Sequence, residues 1–128
     1  LDEGGHDRYR VPELGLGAAH DNGIALFVDA AGNDAYDVAA SDCLAFGVAR
    51  IGQWGSLRED LPNAGLFLDL GGEDGYPPHC GRVRNGAQWA GPRLWPALEL
   101  RSEAGAGIDG SVASPFATGR MTGSERLP

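Results

Sequence analysis

The chain has 128 residues, 42% hydrophobic and 22% charged, a size and balance that suit one folded domain. Its net charge of −8 and pI near 4.6 set it against phosphate, so neither nucleic acid nor anionic lipid is an expected partner. No apolar run approaches the roughly 18 residues of a spanning helix, and 21 glycines make long helices expensive.

The first predicted unit covers 1–27. It opens on "LDEGGHDRY", which has the form D-x-x-G-x-D-x-Y with Asp2, Asp7 and Tyr9 at the marked positions. The chain starts inside this motif and shows no charged-then-apolar leader pattern, so one further strand is expected ahead of Leu1. A glycine followed by small residues comes at Gly17, and the apolar run "GIALFVD" ends the unit and leads into the next.

The second unit, 28–66, repeats the motif as "VDAAGNDAY" with Asp29, Asp34 and Tyr36, then a glycine at Gly47. The third, 67–90, reads "LDLGGEDGY" with Asp69, Asp74 and Tyr76, then Gly86. The first aspartates are 27 and then 40 residues apart, so a loop inserted into the second unit is expected at Ile51 to Asn63. Within it, "SLREDL" is the best candidate for a short helix. Runs such as "IALFV" and "GLFL" are short, apolar and bounded by glycine, which fits buried strands. The segment 91–128 is expected to hold a capping stretch, "GPRLWPALEL", and then an irregular Gly/Ser/Ala-rich tail.

A unit of this length cannot bury its apolar strand alone, but stacked units can. The expected fold is therefore all-β: a short β-solenoid of about three units over 1–90. An antiparallel β-sandwich is the alternative. A short stack with an unprotected edge calls for cover, so another protein chain or a second copy is the expected partner.

Stacking in register places equivalent aspartates about 5 Å apart, where like charges repel by roughly 3 kcal/mol at an effective dielectric of 20. Two compensations are open. The aspartates can accept turn N–H groups, beside glycines that take left-handed backbone. Alternatively, Asp2, Asp7, Asp29, Asp34, Asp69 and Asp74 can hold calcium, a hard cation that takes carboxylate oxygens.

The half-motif "GNDAY" resembles the end of the calcium-binding nonapeptide repeat of RTX β-rolls, although the spacing here is about 27 residues and the glycines are fewer. The whole unit resembles bacterial tandem-repeat proteins that carry "LLDxGGxDxY" units followed by a later glycine. That resemblance spans about Leu1 to Ala90. It implies repeat architecture and transfers no catalytic residue.

Other chemistry is thinly supported. Cys43 and Cys80 could form a disulfide or remain two partly buried thiols. His79, Cys80 and a carboxylate could pair a nucleophile with a base, and His79 with both cysteines could hold zinc, but no spacing fixes either set. "GAGIDGSVAS" resembles a G-x-D-G stretch of thiamine-diphosphate enzymes without their strand–helix context. Trp54, Trp89 and Trp95 lie outside the apolar runs and suit either a core cap or a partner surface. No catalytic residue and no organic cofactor are assigned. The expected function is a non-catalytic structural or interaction module; the alternative is an accessory domain or processed fragment of a larger enzyme complex.

Overall fold

Frequent glycines and Asp-Gly turns cut the chain into extended pieces too short for anything but strands. The computed structural model describes residues 1–41, 43–50, 61–91 and 103–110. It contains β1 (Arg8–Val11), β2 (Ala19–His20), β3 (Ile24–Asp29), β4 (Ala35–Val38), β5 (Ala49–Arg50), β6 (Asn63–Asp69), β7 (Gln88–Gly91) and β8 (Glu103–Asp109). A single 3-10 turn covers Pro78–Cys80, and no α-helix forms among the described residues. The fold is all-β. No described helix is long and apolar enough to cross a membrane.

The strands make three small sheets, ordered β1-β4, β2-β5 and β3-β6-β8-β7. Four of the five described strand pairs are parallel; only β7 and β8 run antiparallel. This stands against an antiparallel sandwich. The register joins equivalent motif positions: Tyr9 with Tyr36, Ala19 with Ala49, Phe27 with Phe67, and Asp29 with Asp69.

Register also locates the inserted residues. Tyr9 pairs 27 residues on with Tyr36, Ala19 pairs 30 on with Ala49, and Phe27 pairs 40 on with Phe67. Three extra residues therefore enter between β4 and β5, and ten between β5 and β6. The expected insertion at Ile51 to Asn63 is corrected on both sides: part of it precedes β5, and Asn63 is already the first residue of β6. The helix candidate within it lies outside the described residues apart from Leu61, which is a bend.

The tail expectation is corrected as well. Glu103–Asp109 is a strand, paired along its whole length with Asn63–Asp69 and 40 residues beyond it. The remainder of the tail, from Ser111, lies outside the described residues, as does most of the expected capping stretch.

The core is aromatic. Tyr9, Tyr36 and Tyr76 stack with centroids 5.2 and 5.0 Å apart, close to strand spacing. Phe27 and Phe67 form a second stack at 5.3 Å, and Phe46 meets Phe67 edge-on at 5.3 Å. Such pairs contribute about 0.5–1.5 kcal/mol each beyond the area they bury.

The second stack is closed by a residue from another strand. Gly107 occupies the register position after Phe67, and the Trp89 ring fills the space that a side chain there would need. Trp89 lies 5.7 Å from Phe67 and donates its Nε1–H to the Phe46 carbonyl at 3.0 Å. Trp89 thus caps the core; Trp54 and Trp95 lie outside the described residues. Gly47 shows why the corner glycines recur. Its φ is +61°, and a Cβ there would overlap the Ala106 carbonyl oxygen and crowd the Phe67 N–H.

Cys43 and Cys80 are joined by a disulfide, with Cα atoms 5.5 Å apart. Cys43 sits within the three-residue insertion between β4 and β5, so the first unit has no counterpart to it.

Candidate functional site

Each motif aspartate has a distinct task, set by its place in the turn. The first aspartates closest to the strand ends, Asp29, Asp69 and Asp109, fall in one column. Each receives a tyrosine hydroxyl from the preceding motif copy: Tyr9 bonds Asp29 Oδ2 at 2.6 Å, Tyr36 bonds Asp69 Oδ2 at 2.7 Å, and Tyr76 bonds Asp109 Oδ2 at 2.5 Å. Tyr76 also reaches Asp69 Oδ2 at 3.3 Å. Asp2, at the exposed end, closes a local turn instead, accepting the Gly4 N–H at 3.1 Å. That bond holds the Asp2 carboxyl below its ordinary range.

The second aspartates form a parallel column through the backbone. Asp34 Oδ1 accepts the Asp7 N–H at 2.6 Å, and Asp74 Oδ1 accepts the Asp34 N–H at 2.7 Å. Asn85 ends the column: its Oδ1 accepts the Asp74 N–H, and its Nδ2 donates to the Asp74 carbonyl, each at 2.8 Å. An outer column does the same with other side chains. His6 Nδ1 accepts from Asn33, and Asn33 Oδ1 accepts from Glu73, each at 3.0 Å.

These carboxylates have little contact with water. Asp29, Asp34, Asp69, Asp74 and Asp109 are all buried. Burial pushes the Asp74 carboxyl up to about 7 and also raises Asp34 and Asp69. Burial and the facing carboxylates push the three tyrosine hydroxyls well above their ordinary range, so they remain protonated donors. Three buried carboxylate oxygens meet no hydrogen-bond donor among the described residues: Asp29 Oδ1, Asp34 Oδ2 and Asp74 Oδ2.

The six aspartates predicted as calcium ligands are therefore not one set. Asp2 and Asp7 lie at the open end. Asp29 and Asp34 stand one level further in. Asp69 and Asp74 converge with Asp109, one oxygen from each lying within 4.8 Å of the others. Asp109 is absent from the predicted set because "GIDG" lacks the G-x-D-x-Y half of the motif. Its signal was the spacing: it lies 40 residues after Asp69, as Asp69 does after Asp29.

The remaining candidates have structural roles in this state. His79 lies near Cys43 and Cys80, but both sulfurs are bonded to each other, and His79 Nε2 lies 3.2 Å from the Ala40 carbonyl oxygen. His20 pairs with its neighbour Asp21 at 3.0 Å. Arg8 and Arg10 flank Asp37 at 3.8 and 3.2 Å, exposed pairs worth little to stability. No family model, curated protein or solved structure matches the chain, so the site is read from its own geometry.

Proposed function

We propose that the chain is a short β-solenoid that works as a non-catalytic structural or interaction module and packs against a second copy of itself. The observation that carries this reading is the in-register parallel pairing of motif copies, Tyr9 on Tyr36 and Asp29 on Asp69 on Asp109. Side chains that could do chemistry elsewhere hold one unit to the next here. Aspartates, tyrosines, His6 and Asn33 all bond across units, and the cysteines bond each other.

The packing surface follows from the outward face of the β3-β6-β8 sheet. Leu26 pairs with Leu66 and Leu66 with Ala106, and Ile24, Leu26 and Ile108 on this face are 82%, 61% and 38% exposed. Exposed apolar side chains gathered on one face mark an association surface, and two such faces can meet across a two-fold axis. Light scattering across a concentration series tests this. The native chain should form a dimer that Leu26→Lys returns to monomer. A native chain that stays at 13.3 kDa at the highest concentration would sink the self-packing reading.

A further inference from the structure

We propose that Asp69, Asp74 and Asp109 form a binding site for a hard divalent cation, calcium by its ligand chemistry. Three carboxylates in one buried place are not by themselves a site. The second observation is Asp74 Oδ2. The Asp74 side chain is buried, only 8% exposed, and this oxygen meets no donor while its partner oxygen is held by the Asp34 N–H. An unsatisfied buried carboxylate oxygen costs more than an unsatisfied neutral group, and native folds rarely tolerate it. A proton is the competitor for this place, because an O–H at that oxygen can donate to a neighbouring carboxylate and a bound cation must displace it.

The neighbouring oxygens point to the same deficit. Among the described residues, Asp69 Oδ1 accepts one long bond, 3.4 Å from the Gly71 N–H. The three carboxylates meet because Asp69 and Asp109 are paired across β6 and β8, while the second-aspartate column carries Asp74 to the same level. Tyrosine hydroxyls and the Gly86 N–H donate to Asp69 and Asp109 and offset part of their desolvation without supplying positive charge.

Ligand chemistry selects among cations. Calcium takes several carboxylate oxygens in irregular geometry, whereas magnesium demands a near-ideal octahedron and keeps most of its waters. Three converging carboxylates suit calcium better. Zinc would favour nitrogen and sulfur ligands. Calcium would complete its shell with backbone carbonyls and water. The site would clamp the strand β8 to β6 at the level where the motif's tyrosine is missing, and it would work in a monomer, independently of the self-packing face.

Terbium is the direct probe, because an ion bound by Asp69 and Asp109 would lie beside the Tyr36 and Tyr76 rings and be sensitised by them. Titrating the full chain with terbium should give saturable emission that calcium displaces. Calcium at a hundredfold excess over its Kd should raise the melting midpoint by roughly 5–10 °C relative to chelator. Asp74→Asn keeps the acceptor for the Asp34 N–H and should abolish both responses while remaining folded. Asp29→Asn, one level away, should leave both intact. The site is overturned if native protein gives no saturable emission, if calcium leaves its midpoint unchanged because water alone fills the place, or if Asp74→Asn responds like the native chain. A native chain that is monomeric but binds terbium would remove the dimer and leave this site standing.

Discussion

The Tyr36 hydroxyl donates to Asp69 Oδ2 across 33 residues of chain, at 2.7 Å, with both side chains buried. This bond ties the ring stack to the carboxylate column. The ring positions the hydroxyl, and the hydroxyl offsets part of the carboxylate's desolvation. The motif needs tyrosine for this reason: phenylalanine would stack as well but leave the acceptor only the longer Tyr76 bond.

Tyr36→Phe should therefore destabilise the protein by about 1–3 kcal/mol, the cost of taking the shorter donor from a buried carboxylate. Tyr9→Phe should cost less, because Tyr9 lies nearer the open end and is only partly buried. Urea unfolding of the two variants gives the comparison. No loss in either variant would mean that the hydroxyl bonds add nothing to the stacked rings, which both variants keep.

Gly47→Ala should be far worse. The new Cβ would overlap the Ala106 carbonyl oxygen at a positive φ, so β5 and β8 could not both keep their places. Gly81→Ala is the control. Its φ is −46° and a Cβ there meets nothing within 4 Å, so it should be neutral or stabilising by up to about 1 kcal/mol. Soluble yield and melting midpoint of both variants decide the matter.

Much of this was legible in the letters because the motif encodes a turn and a bond together. Asp29, Tyr36 and Asp69 recur at spacings that only adjacent strands explain, and the pairing follows. β8 was not legible for a physical reason. "AGAGID" carries no aromatic residue at the Phe27 and Phe67 position, since Trp89 supplies the ring from another strand. A local pattern cannot report a side chain delivered from elsewhere. Asp109 was lost with β8. Asn85 was hidden similarly, because its amide imitates a strand's backbone at the end of a column of aspartates. Cys43 gave no clue to its bond, because it lies in residues that have no equivalent in the first unit.

The Cys43–Cys80 bond closes a loop with a sequence separation of 37 residues. Loop-closure entropy gives it a contribution of about 4 kcal/mol. Guanidinium unfolding with and without reductant should show a loss of that order. Cys43→Ser with Cys80→Ala should reproduce it without reductant. An unchanged midpoint in both experiments would mean that the unfolded chain is already held compact by other contacts.

Acidity should stabilise the cation-free protein across an unusual window. Burial raises Asp74 to about 7 and moves Asp34 and Asp69 in the same direction, from an ordinary value of 3.8. Between about pH 4 and 7 the folded state therefore keeps protons that the unfolded chain has released. Stability then falls as pH rises through this range and levels off above it. Below about pH 4 the lowered Asp2 carboxyl acts in the opposite sense, because its hydrogen-bonded ionised form is lost. In chelator, the urea midpoint should be higher at pH 5 than at pH 7.5. Saturating calcium should reduce or reverse that slope, because bound metal favours the ionised carboxylates that protons oppose. A midpoint that rises steadily from pH 5 to 7.5 in chelator would show that these aspartates are ionised and satisfied in the folded chain, with neither a proton nor a cation needed among them.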